Sequence, residues 1–94
     1  MFEWDPRKAQ ANADKHGVSF DDAVTLLLDM DALDGPDLQH STKESRFRRM
    51  GRAADGTVLM VVYTLRRTSH VETIRIISVL RASRRERAAY SSKD

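Results

Sequence analysis

Residues 4–24 constrain the fold most, because they predict two short helices and the junction between them. Asp5 can cap the first helix by accepting a hydrogen bond from an unpaired backbone N–H, and Pro6 suits the first helical position. Gly17 can adopt the left-handed conformation that ends a helix. Ser19 then offers the N-cap of a second helix, which continues with apolar residues at helical spacing. Two abutting helices are therefore expected at the start of the fold.

The rest of the chain predicts strands and one further helix. The sequence Asp55-Gly56 suits a hairpin turn, and the run 58–62 is apolar on both faces, which favours a central strand. Ser83 and Glu86 form a capping box for the last helix. The predicted elements are helices at about 5–16 and 19–29, a loop or short strand near 30–38, a connection through His40–Glu44, strands at 46–52, 57–66 and 71–80, a polar connection at 67–70, and a helix from Ser83 to about Tyr90.

These elements predict an α+β fold. The two N-terminal helices should pack on one face of a three- to four-stranded antiparallel sheet, and a C-terminal helix should follow it. Arg46 and Arg48 alternate with Phe47 in the first predicted strand, and Arg75 shares a face with Ile77 in the third. We therefore expect arginines beside Tyr63 on the opposite face.

Composition limits the class of protein. Ninety-four residues with 40% hydrophobic and 32% charged content predict one globular domain, 1–94, with a modest core. The absence of cysteine excludes disulfides and thiolate metal sites and suits a reducing compartment. The longest apolar run is too short to span a bilayer, and the N-terminus does not read as a signal peptide. We therefore expect a cytoplasmic protein without membrane association.

Charge is distributed unevenly along the chain. Residues 1–45 contain 4 Lys/Arg against 10 Asp/Glu, whereas residues 46–94 contain 12 against 4. Eleven of those twelve basic residues are arginines, whose guanidinium groups match phosphate oxygens better than an ammonium group does. Some arginines will pair with carboxylates inside the fold, but the surplus favours a polyanionic partner.

Several short motifs follow one another along the chain, and together they resemble the BrnT family of bacterial type II toxins, which are small ribonucleases. The resemblance covers almost the whole chain. The matching residues are Phe2-Glu3-Trp4-Asp5-Pro6, Lys8-Ala9, Asn12, Lys15-His16-Gly17-Val18-Ser19-Phe20, His40-Ser41, Glu44, Arg46, Gly51, Val61-Val62-Tyr63-Thr64, Arg75-Ile76-Ile77-Ser78, Arg81-Ala82, Glu86-Arg87 and Tyr90.

The resemblance implies a RelE-like fold, ribonuclease activity and an antitoxin. That antitoxin would be BrnA, a small ribbon-helix-helix protein that forms a hetero-oligomer with the toxin and alone contacts operator DNA. RelE-type toxins characteristically use arginine, lysine and tyrosine for RNA cleavage. No cofactor is implied.

RNA cleavage by its own 2′-hydroxyl requires proton transfer and stabilisation of the charge on phosphorus. We expect Arg46, Arg75 and Arg81 to contact phosphate, with Arg81, at the end of the third predicted strand, on the scissile phosphate. Arg75 could equally form a structural ion pair with Glu44 or Glu86. His16 has a competing structural role at a helix C-terminus. Tyr63, on a central strand, could equally be a core residue. The candidate catalytic residues are Arg81, Arg75, Arg46, Tyr63, Tyr90 and His16.

Further basic residues are candidates for binding RNA. They are Lys8, Lys15, Arg48, Arg49, Arg66 and Arg84. The histidines are too scattered to predict a metal site, so cleavage should be independent of metal.

The residues leave two alternatives to a ribonuclease. The same basic face could bind nucleic acid without cleaving it, or the chain could act as a co-repressor that modulates a DNA-binding partner. Incubation of purified protein with RNA in the presence of a chelator would separate the enzyme from both.

Overall fold

The computed structural model describes residues 1–29, 32–37 and 45–91. The predicted connection through His40, Ser41 and Glu44 lies outside these residues. The elements, in chain order, are β1 (Phe2–Glu3), α1 (Pro6–His16), α2 (Phe20–Leu27), β2 (Leu33–Pro36), β3 (Phe47–Arg52), β4 (Val58–Thr68), β5 (Val71–Arg81) and α3 (Arg84–Ser91).

The predicted caps of the helix pair are confirmed. The Asp5 carboxylate accepts a hydrogen bond from the Arg7 N–H at 2.8 Å. Gly17 ends α1 at φ 68°, a conformation that a side chain would strain. The Ser19 hydroxyl then accepts the Asp22 N–H at 3.3 Å and starts α2. The second helix ends at residue 27, two residues earlier than predicted.

The strands form one five-stranded mixed sheet in the order β1-β5-β4-β3-β2. The prediction of a three- to four-stranded antiparallel sheet is therefore wrong in two respects: the sheet has five strands, and one pair of them is parallel. β1 pairs parallel with β5, but its two residues are too few to show an alternating pattern. β2 contains Gly35-Pro36, which disfavour a strand, yet proline is tolerated at an edge, where β2 lies.

The central position predicted for the apolar run 58–62 is confirmed, since β4 lies between β3 and β5. The Asp55-Gly56 turn is also confirmed, with Gly56 at φ 89°. The predicted connection at 67–70 is wrong. β4 and β5 extend towards each other as a long hairpin, and the turn contains only Ser69 and His70.

A β-bulge sets which β5 side chains face which side of the sheet. The pairing passes from Val62 with Ser78 to Tyr63 with Ile76, so Ile77 is the extra residue. Before the bulge, even-numbered β5 residues face α1 and α2, whereas after it Val79 does.

The two faces of the sheet carry separate cores. α1 and α2 cover the larger core, on what we call the helix-pair face. On the opposite face, the α3 face, Tyr90 packs with Met50, Val58 and Met60. Tyr63 belongs to the larger core because it is in phase with Leu59 and Val61 on β4. The prediction that Tyr63 lies beside the arginines of the opposite face is therefore wrong.

Asn12 connects α1 to the sheet. Its side chain is buried and makes three hydrogen bonds: Nδ2 donates to the Val79 carbonyl at 2.8 Å and to the Val18 carbonyl at 3.1 Å, and Oδ1 accepts the Val79 N–H at 3.1 Å. β1 pairs with β5 only at Ile74 and Arg75. The Asn12 amide therefore takes the place of a strand peptide along the β5 edge beyond β1.

Candidate nucleic-acid interface

An open groove of about 310 Å³ lies on the α3 face, across β3, β4 and β5. This volume falls within the range of roughly 300–1,000 Å³ typical of ligand sites. Apolar side chains and one serine form its floor, and charged side chains stand around it. The floor residues are Met60, Val62, Ile77, Ser78 and Leu80, and the charged residues are Asp37, Arg46, Arg48 and Glu86.

Sheet register positions the two groove arginines. Arg48 pairs with Val62, which in turn pairs with Ser78, so these three side chains lie side by side on one face. Arg46 precedes Phe47, whose ring packs into the helix-pair core, so Arg46 projects towards the groove. Guanidinium groups beside an apolar floor can bind phosphate while bases contact the floor.

Two carboxylates also line the groove, and sequence reasoning assigned neither to the site. Asp37 is 5% exposed, and its N–H donates to the Arg46 carbonyl at 2.8 Å, which holds it beside β3. Glu86 completes the predicted capping box, which is confirmed: Oε1 accepts the Ser83 N–H at 2.7 Å and the Ser83 hydroxyl accepts the Glu86 N–H at 3.1 Å. The box thereby fixes a carboxylate at the groove edge.

Tyr63 lies on the other side of the sheet from the groove. Its hydroxyl donates to Asp34 Oδ1 at 2.6 Å. Burial raises the pKa of Tyr63 well above its ordinary value, and the Asp34 carboxylate adds to the shift. The phenol is therefore protonated at neutral pH and engaged inside the fold.

Arg81 also lies apart from the groove. It pairs with Leu59, a residue of the helix-pair core, and therefore projects from that face. Its Nη1 donates to the His16 carbonyl at 3.1 Å, where the positive charge complements the C-terminus of α1. The structure thus brings two predicted catalytic residues, Arg81 and His16, together, but on the opposite face from Arg46.

Comparisons with known proteins identify the family. A family model described as the ribonuclease toxin, BrnT, of type II toxin–antitoxin systems matches residues 4–86. The chain belongs to the BrnT family. Among solved structures, it is similar to the BrnT ribonuclease toxin of Brucella abortus, with a TM-score of 0.65 and 28% sequence identity. That match covers 89% of this chain and 99% of the Brucella chain. Comparison with curated proteins gives no match.

The remaining predicted catalytic residues of this BrnT-family chain, Tyr90 and Arg75, have structural contacts. The Tyr90 ring is buried on the α3 face, with the Arg52 guanidinium carbon 5.5 Å from the ring centroid. Arg75 Nη1 lies 3.5 Å from Glu3 Oε1, so its ion pair is with β1. The alternative of a pair with Glu86 is wrong, because Glu86 lies across the groove in α3 and caps that helix.

The predicted RNA-binding residues do not form one surface. Arg48 lies in the groove, whereas Arg49 points towards α2 and donates to the Asp29 carbonyl at 2.9 Å. The others are exposed on separate elements. These are Lys8 and Lys15 on α1, Arg66 on β4 and Arg84 on α3.

Two further findings concern the described residues only. No group of three or more His, Cys, Asp or Glu among them could hold a metal ion. None of their helices is both long and apolar enough to cross a bilayer.

Proposed function

We propose that this chain is an endoribonuclease toxin that cleaves RNA in the groove of the α3 face and so inhibits translation and growth. The observation that carries the proposal is the convergence of two arginines and two carboxylates on one apolar floor, in a chain of the BrnT family. A surface that only binds nucleic acid has no need of carboxylates in its groove, because carboxylates repel phosphate.

The groove supplies the groups that the reaction requires. The RNA 2′-oxygen attacks the adjacent phosphorus, and its proton passes to a carboxylate, Asp37 or Glu86. Arg46 and Arg48 stabilise the negative charge that builds on the phosphoryl oxygens. The bond from phosphorus to the 5′-oxygen then breaks, and that oxygen takes a proton from water in the open groove and leaves as a 5′-hydroxyl. The other product carries a 2′,3′-cyclic phosphate, which water can open to a 3′-phosphate.

This mechanism predicts cleavage without a metal ion, because the nucleophile is part of the substrate and arginines stabilise the charge. Purified protein incubated with RNA and a chelator should release fragments with 5′-hydroxyl ends and 2′,3′-cyclic or 3′-phosphate ends. End-specific labelling checks the products. Loss of activity on chelation, with recovery on adding a divalent ion, would contradict metal independence. RNA binding without any cleavage would instead support the non-catalytic alternative.

We also propose that a BrnA-like ribbon-helix-helix antitoxin neutralises the toxin by covering the groove and α3, and that operator DNA is contacted only through this antitoxin. Covering the arginines of the α3 face would block RNA and offset their charge. Amide hydrogen exchange of the complex should show protection in β3, β5 and α3. Protection confined to residues 5–29 would show that inhibition works from the helix-pair face.

A further inference from the structure

A second arginine cluster lies outside the groove, at the end of the sheet where β3 ends, β4 begins and β5 runs into α3. A cavity of about 470 Å³ is lined by Arg52, Arg81 and Arg87, together with Gly56, Thr57, Val58 and Ser91. It shares no lining residue with the groove. Glu86 borders the groove and Arg87 borders this cavity, so the two lie on different flanks of one helix.

Contacts within the protein hold two of the three guanidinium groups in place. Arg52 Nη1 donates to the Gly56 carbonyl at 3.1 Å, and the same group stacks over Tyr90. Arg81 Nη1 donates to the His16 carbonyl at 3.1 Å. Each guanidinium has five N–H donors, so these bonds orient the group and leave further donors for an anion. Two of the three guanidinium groups are therefore ordered before a ligand binds, which favours affinity.

The nearby carboxylate does not neutralise the cluster. Asp55 lines a different, smaller cavity, which Arg81 also borders, and it does not line this one. A hydrogen bond from the Thr57 N–H is the main cause that lowers the pKa of Asp55, and Arg81 contributes less. The cavity thus keeps a surplus of positive charge.

The composition of the cavity favours phosphate groups over a protein partner. Its one large apolar side chain, Val58, is 6% exposed, so it offers no apolar anchor of the kind that dominates protein interfaces. A nucleic-acid strand carries a phosphate at every nucleotide, so a strand in the groove could continue past α3 with further phosphates.

We propose that Arg52, Arg81 and Arg87 form a second phosphate-binding subsite, which holds the RNA strand several nucleotides from the cleaved bond. This inference rests on the proposed function. The subsite adds affinity for long substrates, while Arg46 and Arg48 serve the reacting phosphate.

Arg87 provides the cleanest test, and Arg85 is its matched control. Both are exposed on α3, but Arg85 does not line either cavity. The probes are single-stranded 2′-deoxy oligonucleotides, which cannot be cleaved, as a dinucleotide and as a strand of about 12 nucleotides. Wild type should bind the longer strand more tightly. Arg87→Ala should remove on the order of tenfold of that gain, and Arg85→Ala should not.

Salt dependence gives an independent readout by fluorescence anisotropy. For the longer strand, the negative slope of the logarithm of the binding constant against the logarithm of salt concentration should become shallower by about 0.7 in Arg87→Ala, because one phosphate contact is lost. Equal melting temperatures of the two variants would show that both remain folded.

The outcomes separate this inference from the proposed function. Arg48→Ala should weaken binding of both strands. If it changes the affinity for neither strand, the groove is not the RNA-binding site and the proposed function is wrong. If Arg48→Ala weakens binding but Arg87→Ala behaves like Arg85→Ala, only the second subsite is wrong. If Arg87→Ala leaves the oligonucleotide affinity unchanged but weakens the antitoxin complex, the cluster is a protein interface and the proposal is overturned.

Discussion

Replacing Arg46 with alanine should lower the single-turnover rate of RNA cleavage on the order of 100-fold. Arg46 projects into the groove beside the buried Asp37, where a guanidinium can contact phosphoryl oxygens as their charge increases. Losing one preorganised donor of this kind typically costs two to three orders of magnitude in rate. Arg46→Lys should restore little, because an ammonium group cannot make the bidentate contact.

Arg67→Ala is the matched control for this variant. Arg67 is exposed on the β4–β5 hairpin, where its side chain lies 3.4 Å from Glu72, so its loss should leave the rate unchanged. Arg81→Ala makes the comparison sharper, because the sequence alone predicts that Arg81 contacts the scissile phosphate. If Arg46→Ala were fully active and Arg81→Ala were folded but inactive, the scissile phosphate would bind at the Arg81 end of the sheet and not in the groove.

Asn12→Ala should destabilise the fold by about 3 kcal/mol. The variant leaves the Val79 N–H, the Val79 carbonyl and the Val18 carbonyl without their partner in a buried position. Each unsatisfied buried group costs about 1–3 kcal/mol, and partial access of water should offset part of the total. For a domain of this size, the melting temperature should fall by roughly 15 °C.

Gln10→Ala is the control for that prediction. Gln10 lies on the same helix, and its exposed side chain bonds only Asp14 among the contacts that the structure describes. Its replacement should change the free energy of unfolding by less than about 0.5 kcal/mol. If the melting temperatures of Asn12→Ala and Gln10→Ala lay within a few degrees of each other, the Asn12 amide would not secure the β5 edge.

Local signals explain how much of the fold could be predicted. Caps such as Asp5, Gly17 and Ser83 act within a few residues, so their positions are readable from sequence and the structure confirms them. β1 could not be found in this way, because its two residues are held by pairing with β5, more than seventy positions away. The Ile77 bulge has no local signal either, since it depends on the register between two strands.

The candidate site was predictable only in part, for the same reason. The alternation around Phe47 predicts that Arg46 and Arg48 share a face, and both line the groove. Asp37 stands in a polar stretch without periodicity, so only the pairing of its backbone with Arg46 reveals its place. Tyr63 shows the reverse: its hydroxyl suggested chemistry, whereas its phase on β4 places it in the core.

The most direct test of the central claim is to map where RNA binds, by NMR chemical-shift perturbation of the folded protein with an uncleavable 2′-deoxy oligonucleotide. We expect the largest shifts at the groove residues of β3, β4 and β5, with Arg48, Val62 and Ser78 among them. These shifts should weaken with added salt. Shifts concentrated in α1 and α2, with the groove unperturbed, would contradict it.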